Sequence, residues 1–307
     1  MEDTLQTVDG RAVLRFERRL AHPPEKVWRA ITEPAHLEHW FPAAVEGERA
    51  IGAPLRFVFR EGEAPPLEGR ITELEEPRVF AFTWGESLLH LELRPEDGGC
   101  TLVFTHTFDD RFSAASYTVG WQGCLDALAS LLDDKPVEGL VPNGYAELHE
   151  AYIEKFGLLE GAVEDAADGW TVRFERLLPH PMDNVWTTLG DDEATVGAEP
   201  PLESTNGFVP ASRVTAVEPP RLLEYTWQSS GEQVGRVRWE LSDGPGGTLL
   251  TLAQTVPAAL AGQLPTALAA WHTHLELLAE ALMGKDVCPW PEDRTEELKR
   301  HYVERNA

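Results

Sequence analysis

Lysine is scarce in this 307-residue chain, with five against 21 arginines, and the 26 basic residues face 52 acidic ones for a net charge of −26. A surface this acidic repels phosphate backbones and anionic head groups, so neither nucleic acid nor a membrane surface is an expected partner. Long apolar runs are missing too. No stretch holds 18 uninterrupted apolar residues, and Met1-Glu2-Asp3-Thr4 has neither the basic nor the apolar region of a secretion signal. Cysteine is down to three, Cys100, Cys124 and Cys288, an odd number without zinc-like spacing. That excludes a disulfide framework and leads us to expect buried thiols and a cytoplasmic location. His-Glu-x-x-His, Gly-x-Ser-x-Gly, Cys-x-x-Cys and phosphate-cradling glycine loops are all absent, so neither metal nor other cofactor is expected.

What the chain has in plenty is repetition. The run Val13–Trp28 returns as Thr171–Trp186 at an offset of 158. Arg70-Ile71-Thr72 and Phe82-Thr83-Trp84 return as Arg213-Val214-Thr215 and Tyr225-Thr226-Trp227 at an offset of 143. Gly98 through His106 matches Gly246 through Gln254 at 148, while Trp121 and Tyr152 match Trp271 and Tyr302 at 150. Order is kept while loop lengths vary, which is the signature of a duplicated domain. We expect one domain over residues 1–140, a helical linker over 141–168, and a second domain over 169–307, each large enough for its own core.

Within one copy, residues 11–20 alternate as a strand, and Pro23-Pro24-Glu25 opens a helix that buries Val27, Trp28 and Ile31. Glu33-Pro34 starts a second helix with Leu37, Trp40 and Phe41 on one face. Short β-prone runs follow at Leu55–Arg60, Leu67–Leu74, Val79–Trp84, Leu88–Arg94 and Cys100–Phe108, close enough together for antiparallel pairing. A long helix from about Ser113 to Leu132 closes the copy, with Tyr117, Trp121, Cys124, Leu125 and Leu128 on one stripe. The expected class is α+β, with a curved antiparallel sheet gripping the long helix in each domain. From Trp28 to Arg70 the first copy spends 42 positions; from Trp186 to Arg213 the second spends 27. The missing residues are roughly the second short helix and the strand Leu55–Arg60, so part of a sheet edge or cavity rim is expected to be absent there.

These pieces together resemble the START/Bet v 1-like helix-grip superfamily (SRPBCC). They are the Val27-Trp28 helix, Pro34-x-x-Leu37-x-x-Trp40-Phe41, the Phe82-Thr83-Trp84 strand, Gly98-Gly99-x-Thr101 running to His106, and the Gly120-Trp121 helix. Within the superfamily they are most similar to the branch named for activators of a heat-shock chaperone ATPase. The resemblance covers residues 11–134 and, more loosely, 169–284. Tandem chains of this kind also look similar to helix-grip proteins of polyketide and enediyne pathways. The resemblance implies an apolar ligand held between sheet and long helix. It carries over no catalytic set, because catalytic members use polar groups that differ from family to family.

Strand parity, with the large apolar residues taken as inward, selects candidate ligand-binding positions. In the first copy these are Trp40, Phe57, Phe59, Phe82, Trp84, Phe104, His106, Tyr117, Trp121 and Leu125; in the second, Tyr225, Trp227, Trp239, Gln254, Trp271, His274 and Leu275. For most of these aromatics plain core is the stronger reading, since a gripped helix needs packing in any case. His106 and Gln254 stand out because a polar group in an apolar wall is costly unless bonded. Arg18 and Arg176, present in both copies, read as surface ion-pairing residues. The leading functional expectation is binding of an elongated hydrophobic small molecule. A cyclase, dehydratase or hydrolase using His106 as acid/base is the alternative, and a co-chaperone-type interaction module a third.

Overall fold

The computed structural model describes residues 3–59, 65–137, 139–190 and 194–305. It divides into two compact units, Met1–Tyr152 and Ile153–Ala307. Arg60, the last residue of an expected strand, lies outside the described residues.

The first unit is an eight-stranded antiparallel sheet with a long helix. Its strands are β1 (Thr4–Val8), β2 (Arg11–Leu20), β3 (Ala43–Gly47), β4 (Pro54–Phe59), β5 (Leu67–Glu75), β6 (Val79–Trp84), β7 (Ser87–Glu96) and β8 (Gly99–Phe108), in the order β1-β2-β8-β7-β6-β5-β4-β3. Along β2 the alternation sends Ala12, Leu14 and Phe16 inward. Between β2 and β3, α1 (Pro24–Thr32) starts on a first-turn proline and buries Val27, Trp28 and Ile31; Pro34 then opens α2 (Pro34–Trp40). After β8 comes α3 (Ala114–Leu132), which packs on β2, α1 and α2. Its Trp121 ring meets Phe104 of β8 at 4.8 Å and Trp84 of β6 at 5.6 Å, so strands from across the sheet close on the same helix face. Strands β1 and β3 were not anticipated. The signal for β1 was present: Asp9-Gly10, both at positive φ (50° and 82°), form the two-residue turn that pairs Val8 with Arg11.

The second unit repeats the plan with fewer strands. It contains β9 (Ala162–Ala166), β10 (Gly169–Leu178), α5 (Met182–Thr188), β11 (Ala211–Glu218), β12 (Leu222–Ser229), β13 (Glu232–Gly244), β14 (Gly247–Pro257) and α6 (Leu264–Leu282); α4 (Tyr145–Phe156) precedes them and α7 (Glu292–Arg305) ends the chain. The sheet order is β11-β12-β13-β14-β10-β9. As the spacing predicts, counterparts of α2 and β4 are absent among the described residues, and so is one of β3. In their place a short 3-10 turn, Leu202–Ser204, is pinned inward. Tyr225 Oη donates to the Ser204 carbonyl at 2.7 Å, and His274 Nε2 lies 3.0 Å from the Glu203 carbonyl.

Each unit ties its first strand, long helix and final tyrosine together. In the first, Asp3 accepts from Arg18 Nη1 (2.8 Å), Gln122 Nε2 (2.9 Å) and Tyr152 Oη (3.0 Å). In the second, the matching position is Gly161, whose N–H donates to Tyr302 Oη at 2.9 Å; His272 Nδ1, matching Gln122, sits 2.8 Å from the same oxygen. Arg18 pairs with a carboxylate as expected of it. Arg176 does not fit the surface reading: it is buried, and Nη1 donates to the Leu275 carbonyl of α6 at 2.8 Å. At the place that Asp3 holds in the first unit the second has Gly161.

Candidate functional site

Most of the expected wall positions are filled core. Trp40, Phe57, Phe82, Phe104 and Leu125 are all buried; Phe57 lies 5.7 Å from Phe82, Trp40 5.7 Å from Phe41 and Phe104 4.8 Å from Trp121. Phe59, at the end of β4, leans on Trp84 at 6.2 Å. In the second unit Tyr225, Trp227, Trp239, Gln254, Trp271 and Leu275 are likewise buried. Rings at these distances pack face to edge or in stacks between strand and helix.

Open space lies at one side of that interface, against the chain that follows each long helix. A cavity of about 260 Å³ is bounded by Ser116, Tyr117, Gly120, Trp121 and Cys124 of α3, by Trp84 and Pro42, and by Leu140 and Val141. In the second unit a cavity of about 400 Å³ is bounded by His274, Leu277, Leu278 and Ala281 of α6, by Thr188, Leu202, Glu203 and Thr205, and by Val287, Cys288 and Trp290. At the offset of 150 the two overlap where Cys124 matches His274 and Leu140 matches Trp290; from there the first runs along the N-terminal half of α3 and the second along the C-terminal half of α6. Of the expected residues, Trp84, Tyr117 and Trp121 line the first cavity and His274 lines the second. Pro42, Leu140, Val141, Leu202, Cys288 and Trp290 were missed, since they sit in connecting segments with no periodicity to read. Trp290 was the one detectable signal, a large aromatic outside every expected element.

The polar groups have distinct states. His106 is fully buried, and its Nδ1 accepts from Trp121 Nε1 at 3.1 Å. Burial, with a smaller contribution from the Arg11 charge, pushes its pKa down to about 3. A ring held neutral, shut from solvent and placed outside the cavity wall does not suit proton transfer at neutral pH, where an acid/base group titrates near the working pH. The second unit makes the same bond with a different acceptor: Trp271 Nε1 donates to Gln254 Oε1 at 2.7 Å. Burial also lowers His274, to about 4, against the opposing pull of its bond to the Glu203 carbonyl. Its Nδ1 is buried with no partner among the described residues, and so is Nε1 of Trp84, although the equivalent Trp227 donates to the Thr255 carbonyl at 2.9 Å.

A family model described as Activator of Hsp90 ATPase homolog 1-like protein matches residues 21–133 and again residues 179–283, more than half of the chain in all. The chain belongs to this family, in two tandem copies. Among curated proteins nothing matches. Solved structures similar to this AHSA1-like chain include the conserved protein of unknown function EF2215 from Enterococcus faecalis, at 21% identity and a TM-score of 0.43, covering 50% of this chain and 90% of that one. CalU16 from Micromonospora echinospora is similar at 21% identity and 0.40, covering 51% and 95%. Protein MLL2253 from Mesorhizobium loti is similar at 24% and 0.37, covering 40% and 98%.

Both AHSA1-like copies keep the helix-grip plan, and they diverge where the cavities open. Among the described residues of this AHSA1-like chain, no group of three or more His, Cys, Asp or Glu is placed to hold a metal ion. Nor is any helix among them long and apolar enough to cross a membrane.

Proposed function

We propose that the protein binds an elongated hydrophobic small molecule of polyketide, polyene or lipid-like character in the cavities beside its long helices. One observation carries this reading. Among the described residues, the two most exposed large apolar side chains are Leu202 (83%) and Val141 (75%), and each lines one of the two cavities. Side chains of this size left in water beside an apolar opening are what a ligand's tail covers. Each cavity also follows its helix for about two turns, Ser116 to Cys124 and His274 to Ala281, roughly 10–12 Å. An extended ligand suits that shape, and the larger volume falls within the usual range for small-molecule sites. Natural-product biosynthesis or self-resistance is the setting suggested by the resemblance of tandem chains to polyketide and enediyne proteins.

The test is titration with diphenylhexatriene, a neutral rod-shaped polyene that fluoresces in apolar surroundings. Saturable binding is expected, weakened about tenfold or more at each cavity by Val141→Asp or Leu202→Asp, since covering such a side chain is worth about 1.5–3 kcal/mol. Absence of saturable fluorescence together with absence of any thermal shift across polyenes and fatty alcohols overturns the reading.

A further inference from the structure

The two cavities coincide at one position of the long helix, Cys124 in the first unit and His274 in the second, and differ in chemistry there. At the place of Cys124 in the first unit the second has His274, a wall residue only 6% exposed. Its Nε2 faces the Glu203 carbonyl, which only accepts, so Nε2 carries the proton and Nδ1 holds a bare lone pair. The ring is fixed by packing on Trp239 at 5.3 Å and Trp271 at 5.5 Å, with Trp290 at 6.2 Å. Trp290 is itself held by donating Nε1 to Thr295 Oγ1 at 2.8 Å. The acceptor is therefore buried and without a partner among the described residues. Burial keeps it neutral, so it receives a hydrogen bond without competing for a proton. In the first cavity the buried atom without a partner has the opposite sense, the Trp84 Nε1 donor.

We propose that the second unit's cavity selects apolar ligands bearing a hydroxyl or N–H donor, which His274 Nδ1 accepts, and discriminates against analogues whose donor is capped. This rests on the ligand-binding reading above and adds the identity of the polar handle. A capped analogue sets an oxygen lone pair against the Nδ1 lone pair and leaves both unpaired, which is the situation that buried polar sites reject most strongly.

Cys288 supplies a local reporter. It lines this cavity and is exposed, whereas Cys100 and Cys124 are buried, so alkylation of the native full chain by neutral iodoacetamide reads occupancy of the second cavity alone. Protection of Cys288, followed by mass spectrometry, is measured against 2-naphthol and 2-methoxynaphthalene. The expected result is protection by 2-naphthol at about tenfold lower concentration, a preference falling to about twofold or less in His274→Phe, which keeps a ring but no acceptor. Equal protection by both compounds in the native chain, or a preference surviving in His274→Phe, overturns the selectivity while leaving cavity binding intact. Protection by neither compound, with no diphenylhexatriene binding, overturns both. The comparison of two ligands on the unmodified chain stands even where the variant fails to fold.

Discussion

Replacing His106 with Gln puts the second unit's solution into the first. Gln254 shows that an amide oxygen at this position accepts from the paired tryptophan, at 2.7 Å against 3.1 Å for His106. The bond is kept and the titrating group is lost. In the folded chain His106 has a pKa of about 3, pushed down first by burial and then by Arg11; in the unfolded chain a histidine titrates near 6.5. Between these values the unfolded state takes up a proton that the folded state refuses. Stability contributed by the neutral ring is thus complete above about pH 6.5 and falls by about 1.4 kcal/mol for each pH unit below it. From pH 7.5 to pH 5 the His106 share of the loss is about 2 kcal/mol. Urea unfolding followed by tryptophan fluorescence at both pH values gives the stability of each protein. Every other titrating group is common to both, so the difference between them isolates residue 106. The Gln variant is expected to gain about 2 kcal/mol on the wild type over this interval. Parallel loss of stability in the two proteins refutes the assignment of a buried neutral imidazole.

Two further substitutions test the frame around the cavities. A Cβ on Gly123 of α3 would sit 1.9 Å from the Leu140 carbonyl oxygen, so Gly123→Ala is expected to lower the melting temperature and weaken diphenylhexatriene binding by displacing the Leu140–Val141 wall. A rise of about 0.5–1 kcal/mol, the usual gain from Gly to Ala inside a helix, contradicts that close approach. Burial raises the Asp3 carboxyl pKa, but hydrogen bonds from Arg18 and Gln122 outweigh it and hold the group below its ordinary value. Asp3→Ala is expected to cost about 1–3 kcal/mol in urea unfolding at pH 7, shrinking as pH falls through the carboxylate range, because the lost partners matter only while Asp3 is charged. Equal destabilisation at pH 7 and pH 3 removes the network from the account.

The duplication and the class of fold were legible because they are written in large residues at fixed order: Val27-Trp28 with Val185-Trp186, Trp121 with Trp271. The shortened second sheet followed from counting positions between Trp186 and Arg213. Strand β1 was missed although Asp9-Gly10 announces its hairpin, since Thr4–Val8 alone shows little apolar alternation. The full walls of the two cavities were not legible, for a physical reason. Parity says which way Phe57, Phe82 and Phe104 point, but not whether the rings opposite leave a gap. Part of each wall comes from segments such as Leu140–Val141 and Val287–Trp290, where neither period operates. His106 and Gln254, singled out as polar groups in an apolar layer, each accept a hydrogen bond from an indole N–H, of Trp121 and Trp271.

Strands β4 and β3 occupy the free margin of the first sheet, and without counterparts among the described residues of the second unit β11 stands at the border with the ladder behind it uninterrupted. A flap attached in this way is modular: it is removed or regrown without breaking a single pairing among the remaining strands. Duplicated chains built on this plan thereby gain a place to trade one kind of entrance for another, an aromatic hood for a pinned loop, while the gripped helix stays as it was.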